Sequence, residues 1–130
     1  MTTEDTAAGR WRVSYSTKPP LTVSKWRSDV TVPDPQRPFK ITVGVMFNAL
    51  AENGMPDLGA EGEFLAGVWN DLCADLPSYG AVLVLSVTGS GNREWVAYAP
   101  SHDWLRTWAP DFTERWFQNR SCQISAAEDP

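Results

Sequence analysis

Residues 39–50 read FKITVGVMFNAL, a stretch in which apolar side chains alternate with small or polar ones. One side of an extended chain would carry Ile41, Val43, Val45 and Phe47, and the other side Thr42, Gly44 and Met46. Alternation with a period of two is typical of a β-strand that buries one face. We therefore predict a core strand here, around which the rest of the fold is arranged.

A turn and then a helix are predicted after this strand. The turn is Asn53-Gly54-Met55-Pro56, within a longer cluster that starts at Glu52, because Gly tolerates positive φ and Pro fixes its own φ. Glu61 and Glu63 suit the start of a helix that closes at Pro77, and its exposed face is predicted to carry Asp71 and Asp75. The apolar side chains that recur at helical spacing are Phe64, Leu65, Val68, Trp69, Leu72, Cys73 and Leu76.

The second half of the chain predicts a hairpin, a helix and a last strand. Residues 81–88 and 94–99 alternate or run apolar on either side of Gly89-Ser90-Gly91-Asn92, as in a β-hairpin, and Trp95 and Tyr98 fall on opposite faces. Ser101 is positioned to cap a second helix that Pro110 should kink or split. That helix carries Trp104, Leu105, Trp108, Phe112 and Trp116, and a strand over 121–126 follows it.

From residue 39 onward the predicted order is strand, helix, strand, strand, helix, strand. This βαββαβ order predicts the α+β class and a ferredoxin-like sandwich, with two helices on one face of an antiparallel sheet. Two earlier strands, 11–15 and 21–27, would extend the sheet edge or form a separate hairpin, with 21–27 as an edge strand. We expect a flexible N-terminus over 1–10, one domain over 11–126 and an acidic tail over 127–130.

Length and composition indicate one soluble domain. The chain has 130 residues, 42% of them hydrophobic, and a net charge of -5. Residues 1–10 do not look like a secretory signal, and the longest apolar run, 81–85, is too short to span a membrane. A cytoplasmic protein without a membrane partner is expected.

The distribution of charge predicts the kind of partner. Residues 41–92 contain no lysine or arginine, but they contain the acids Glu52, Asp57, Glu61, Glu63, Asp71 and Asp75. A surface of one sign attracts basic proteins and repels nucleic acid. We therefore expect a basic protein partner and no nucleic acid.

Four features of the sequence resemble chemical sites, and a structural role is favoured for each. Gly89-Ser90-Gly91-Asn92 precedes a strand and lacks a lysine, so a turn is favoured over a phosphate loop. His102 lies beside Ser101 and Asp103, and sequence neighbours do not form a triad. Asp71 and Asp75 with Glu61 or Glu63 are not spaced as a loop for a hard cation. Cys73 and Cys122 do not have metal spacing, and their pairing stays open, although a buried reduced thiol is favoured for each. No metal, cofactor or catalytic residue is predicted.

The chain resembles the bacterial family known as domain of unknown function number 695. The resemblance rests on residues 11–15, the strand 41–47, the turn 52–56 and the hairpin 88–98 with Arg93-Glu94-Trp95, about three quarters of the chain. It implies a relation to the regulator of ribonuclease E activity of the B type, a small acidic ferredoxin-like protein that inhibits a nuclease by binding it. The resemblance implies a binding protein and carries over no functional residue.

These observations favour a non-enzymatic protein that binds and restrains a partner, as a toxin-immunity protein or a nuclease regulator does. The predicted partner-binding residues are Glu61, Glu63, Asp71 and Asp75 for steering, with Trp104 or Trp108 as an aromatic anchor. The alternative is a small-molecule-binding module or enzyme, with a tryptophan-lined pocket between the sheet and the N-terminal hairpin and with Arg93 and Glu94 as polar contacts. A third interpretation, a purely structural subunit that homodimerises through the open face of the sheet, also fits. A monomer or weak homodimer is expected.

Overall fold

The structure is a computed structural model that describes residues 2–6, 9–15, 22–30, 34–47, 59–89 and 91–128, with only the backbone described before residue 11. The chain is of the α+β class, as predicted. The strands are β1 (Thr2–Thr6), β2 (Gly9–Tyr15), β3 (Thr22–Arg27), β4 (Phe39–Met46), β5 (Val82–Gly89), β6 (Asn92–Ala99) and β7 (Cys122–Glu128). The helices are α1 (Ala60–Asp75), which a 3-10 turn over Leu76–Tyr79 continues, and α2 (Leu105–Trp116).

Within these residues the strands form one sheet in the order β1-β2-β3-β5-β6-β4-β7. Every neighbouring pair is antiparallel. Because β6 lies between β4 and β5, these two strands run in the same direction, and α1 connects them. The register opposes Val43 to Trp95 and to Ile124, which places all three on one face of the sheet.

Both helices contribute to a single core on that face. The alternation predicted for the first strand is confirmed, since Ile41, Val43, Val45 and Phe47 are all buried. They share one cluster with Leu65, Val68 and Leu72 of α1 and with Trp108, Phe112 and Phe117 of α2 and its end. The two helices therefore cover the same side of the sheet, because a helix buries its apolar stripe against an apolar sheet face.

The other face of the sheet has a smaller buried cluster. Val84, Val96 and Tyr98 are buried there, with Val30 and Val82 packed against them. Trp95 lies in the helix-side core, so the prediction that Trp95 and Tyr98 occupy opposite faces is confirmed.

The N-terminal strands differ from the prediction. The segment 1–10 was expected to be a flexible terminus, whereas the backbone of Thr2–Thr6 forms β1 and pairs with β2. An edge strand is stabilised by backbone hydrogen bonds to its neighbour, so a polar sequence without apolar alternation can adopt it. The expectation that 21–27 is an edge strand is also wrong, since β3 lies between β2 and β5.

The second helix differs from its prediction at Pro110 and at its start. α2 is not split at Pro110, because a proline removes one backbone donor and the packed helix retains its other hydrogen bonds. The alternative, a kink at Pro110, stays a prediction. Ser101 does not cap it with its side chain; Trp104 is the N-cap residue, and its Nε1 donates a 2.8 Å hydrogen bond to the Ser101 carbonyl. The predicted turn 52–56 lies outside the described residues.

Candidate functional site

Asp71 and Asp75 of α1 contact the second helix. Arg115 of α2 donates from Nη1 to Asp71 Oδ2 at 2.9 Å and to Asp75 Oδ2 at 3.3 Å, and from Nη2 to Asp111 Oδ2 at 2.8 Å. One guanidinium therefore joins two carboxylates of α1 to one of α2. A planar fork with several donors suits this bridging role better than a lysine would.

Two tryptophans of α2 complete this interhelical contact. Trp116 Nε1 donates to Asp71 Oδ2 at 2.8 Å, and Trp108 Nε1 donates to Asp75 Oδ2 at 3.0 Å. The hydrogen bonds from Arg115 and then from Trp116 hold the pKa of Asp71 below its ordinary value, because both favour the ionised carboxylate. The same carboxylates raise the pKa of Arg115.

Glu61 forms a second ion pair, at the start of α1. Arg120, which follows α2, donates from Nη1 to Glu61 Oε2 at 2.8 Å and from Nη2 to Oε1 at 2.7 Å. The Glu61 side chain is 3% exposed and that of Arg120 is 14% exposed. The guanidinium also lies 3.6 Å from the centre of the Phe64 ring. This pair joins the start of α1 to the segment that follows α2, and both side chains are mostly buried.

These contacts correct the predicted acidic surface. Asp71 and Asp75 were expected on an exposed face without cross-charge pairs along the helix, and both are instead half-buried against Arg115, 40 or more positions away in the chain, which offsets part of their charge. Glu61 and Trp108 are each 3% exposed, so neither side chain is available to a partner in this structure. Glu63 alone of the four predicted steering acids is exposed, and no ion pair to it is seen within the described part of the chain.

An aromatic pair does reach the surface. Tyr79, which is 36% exposed, stacks on Trp104 with ring centres 4.4 Å apart and planes inclined by 6°. Trp104 is half-buried and meets Trp108 edge to face at 5.5 Å. Trp104 was predicted as an anchor, but Tyr79 was missed, because nothing in the sequence around Pro77 places it against a helix that starts 26 residues later.

A second tryptophan pair lies between α1 and the sheet, with one cavity beside each of its two rings. Trp11 of β2 and Trp69 of α1 meet edge to face with ring centres 4.9 Å apart. A cavity of about 340 Å³ adjoins Trp11, and another of about 290 Å³ adjoins Trp69. The expected pocket between the sheet and a separate N-terminal hairpin does not form, because β2 and β3 are themselves part of the sheet.

The larger cavity is lined by two arginines that already have acidic partners. Arg27 pairs with Asp29 at 2.7 Å, and Arg37 pairs with Asp34 at 3.0 Å. Cys73 lies on the same wall, where burial raises the pKa of its thiol while Arg27 acts in the opposite direction. Cys73 and Cys122 are both free thiols.

The smaller cavity has a different lining. Its polar residues are Lys25, Ser86, Thr88 and Arg93, and its apolar wall is made by Val23, Leu65, Ala66 and Trp69. Arg93 was predicted to supply a polar contact to a ligand, and it does line a tryptophan-bordered cavity. Glu94, its predicted companion, is exposed and does not line this cavity. Lys25 and the two hydroxyls were missed. The pairing of β5 with β6 brings Ser86 and Thr88 to Arg93, and the pairing of β3 with β5 brings Lys25 to them.

Neither a metal site nor a membrane span is seen among the described residues. No group of three or more histidine, cysteine, aspartate or glutamate side chains there is arranged to hold a metal ion. No helix in that part of the chain is long and apolar enough to cross a membrane.

Comparison with known proteins found no family model that matches the chain and no significant similarity to a curated protein or to a solved structure.

Proposed function

We propose that the chain is a non-enzymatic protein-binding module that inhibits or neutralises a basic partner, as a toxin-immunity protein or a nuclease regulator does. The observation that carries this proposal is the stack of Tyr79 on Trp104 at the surface of the helical layer, the layer formed by α1 and α2. Binding energy in protein interfaces concentrates in tyrosine, tryptophan and arginine. A stacked pair held by the Trp104–Ser101 hydrogen bond loses little further freedom when a partner binds.

The charge of the helical layer supports a basic partner even after the internal ion pairs are counted. α1 carries four acids and no base, whereas α2 carries two acids and two bases. Glu63 on α1 and Asp103 beside Trp104 are exposed. The helical layer as a whole therefore remains acidic on balance, which favours encounter with a positively charged protein. Of the six residues predicted from the sequence, we keep Glu63 for steering and Trp104 as the anchor, and we add Tyr79.

The proposed architecture is a ferredoxin-like sandwich formed by β4–β7 with α1 and α2, extended at one edge by β1–β3. The order β5-β6-β4-β7 and its antiparallel pairings support it. The resemblance to the family of domain of unknown function number 695 and to the nuclease regulator stays a prediction. The proposed setting is the cytoplasm, as a monomer or weak homodimer, and two free thiols suit a reducing compartment.

The test is capture of partners from native lysate on tagged protein at low and at high salt, with the wild type beside Tyr79→Ala and Tyr15→Ala. Tyr15 is a matched control because it is an exposed tyrosine, 57% accessible, on a strand of the sheet. We expect a basic protein that is retained at low salt, weakened at high salt, lost with Tyr79→Ala and retained with Tyr15→Ala. Equal retention by the two variants, or recovery of the bait alone, would contradict the proposal.

A second candidate function is small-molecule binding, which the two cavities beside the Trp11–Trp69 pair favour. Ligand sites are concave, mostly apolar and provided with a few convergent polar groups. Both cavities have this composition. A metabolite that occupies either one would change the tryptophan emission, and a screen without any change would count against this function.

A further inference from the structure

The cavity beside Trp69 lies between α1 and three adjacent strands, β3, β5 and β6. Its volume is about 290 Å³, at the low end of the range for ligand sites. Among the described residues, the polar side chains that line it are two cations and two hydroxyls, with no acid. The chain as a whole has a net charge of -5. The described polar lining of this cavity has the opposite, positive charge.

Strand pairing brings these side chains together. Residues opposite each other in antiparallel strands point to the same face, about 5 Å apart at Cβ. One row across the sheet is Val23, Thr88 and Arg93, and the next is Lys25, Ser86 and Trp95. The two cations thus occupy neighbouring rows, separated by the hydroxyls of β5. The floor of the cavity is a rigid sheet, which holds polar groups in position better than a loop does.

Arg93 is held in place but not neutralised. Its Nε donates a 2.7 Å hydrogen bond to Thr88 Oγ1, and its guanidinium lies 5.9 Å from the centre of the Trp95 ring. Its two terminal nitrogens have no acceptor, and its charge has no acidic partner, within the residues that the structure describes. Arg93 is half-buried, and this burial lowers the pKa of its guanidinium, because a charge partly removed from water is less well solvated. A withdrawn charge without a counter-charge favours the binding of an anion.

The contrast with the neighbouring cavity makes this arrangement specific. Arg27 and Arg37, which line the cavity beside Trp11, form ion pairs with Asp29 and Asp34. Lys25 is half-buried, and no ion pair to it is present in the described part of the chain. Among the described residues, it is therefore the cavity beside Trp69, and not the one beside Trp11, that presents cations without an ion-pair partner.

We propose that the cavity lined by Lys25 and Arg93 binds a small organic anion, a carboxylate or phosphate group joined to a compact apolar body. The terminal nitrogens of Arg93 hold two oxygens of the anionic group in a fork, and Lys25 supplies a second positive charge. Leu65, Ala66 and Trp69 of α1 cover the apolar body. This inference rests on small-molecule binding, the second candidate function, and it is independent of the protein-binding surface at Tyr79.

The experiment titrates the full chain with four probes and follows its backbone amide resonances by NMR. Inorganic phosphate supplies the anion alone, phenyl phosphate and benzoate join each kind of anion to a ring, and benzyl alcohol supplies the ring without charge. We expect saturable shifts in β3, β5 and β6 with at least one ring-bearing anion, and none there with benzyl alcohol. Comparison of phenyl phosphate with benzoate decides which anionic group is preferred.

Variants locate the site. Arg93→Met and Lys25→Met should each weaken the binding of the anion by about tenfold or more, the effect of losing a charge-assisted hydrogen bond. The matched controls are Arg106→Met and Lys40→Met, since both cations are exposed and neither lines the cavity. These controls should change the affinity less than about twofold. If Arg93→Met does not fold, as judged from the loss of dispersion in its amide spectrum, Lys25→Met with its control carries the test.

Three outcomes would overturn the inference. Unchanged affinity in Lys25→Met and Arg93→Met would show that the anion binds elsewhere. Saturable shifts confined to residues 72–83 would place binding in the other cavity, which would refute this site and leave small-molecule binding standing. No saturation by any anion up to about 10 mM would refute the site, because a dissociation constant above that concentration is too weak for a specific anion site.

Discussion

Arg120 and Glu61 are 59 positions apart in the chain, yet they meet through two hydrogen bonds of 2.7 and 2.8 Å, side chain to side chain. Glu61 begins α1, and Arg120 follows α2, so their contact fixes the start of one helix to the end of the other. Glu61 is nearly inaccessible to water, and a buried charge is tolerated only when it is paired. This pair therefore specifies how the helices lie over the sheet.

Removal of Arg120 should destabilise the fold strongly. Arg120→Met leaves the carboxylate of Glu61 buried without this cation, and breaking a buried pair from one side costs about 3–5 kcal/mol of unfolding free energy. Urea denaturation measures the loss. The double variant Glu61→Leu with Arg120→Met should recover most of it, because no charge is then left buried. A single variant as stable as the wild type would show that the pair is not buried in solution.

The Asp71 carboxylate predicts a dependence of stability on acid. Its folded pKa lies below its ordinary value of 3.8, so its contribution is present above that pH and is lost as the pH falls through the folded pKa. The unfolding free energy of the wild type should therefore fall more steeply below about pH 4 than that of Asp71→Asn. Urea titrations at several pH values measure the two slopes. Parallel slopes would contradict the assigned role of Arg115 and Trp116.

Gly67 lies in α1, where alanine would ordinarily stabilise a helix. A Cβ at this position would lie 2.4 Å from Cη2 of the Trp116 ring, inside any real contact distance. Gly67→Ala should therefore lower the unfolding free energy by up to about 2 kcal/mol, because an overpacking cost of about 1–3 kcal/mol exceeds the gain of about 1 kcal/mol in helix propensity. Thermal and urea denaturation measure the change. Asn70→Ala, on the exposed face of the same helix, is the control and should be neutral within about 0.5 kcal/mol.

The Cys73 thiol should react slowly with alkylating reagents. Burial raises its pKa above the ordinary 9.0, which leaves little of the reactive thiolate at neutral pH. In the Cys122→Ser variant, iodoacetamide at pH 7.5 should therefore modify Cys73 more slowly than it modifies glutathione, as followed by intact mass. Urea should remove the difference. Modification as fast as that of glutathione in native buffer would show that the thiol is accessible and ionised.

Local pattern predicted the elements that pack against one another within a short stretch of chain. The strand β4, the helix α1, which ends just before Pro77, and the hairpin around Gly91 all appear where periodicity places them. Gly91 has a φ of 82°, a backbone conformation that glycine adopts without steric cost. These features depend on which face of a strand or helix is apolar, and that face is determined by the spacing of apolar residues close together in the chain.

The charges could not be assigned in the same way. Along α1, Asp71 and Asp75 look like two uncompensated acids, because no base lies within a helical turn of either. Their partner Arg115 comes from another helix, and a long side chain reaches across only after both helices have packed on the sheet. The same holds for Lys25 and Arg93, whose common cavity depends on the pairing of three strands.

The sequence by itself determined the α+β class, the core strand, both helices and the hairpin of this protein, since each follows from the spacing of apolar residues along the chain. The tertiary structure alone decided which acids pair with an arginine, that β3 lies inside the sheet, and that Lys25 and Arg93 line one cavity without an acidic partner among the described residues. The physical reason is that burial follows a local period, whereas an ion pair or a cavity forms between side chains that only the folded chain brings together.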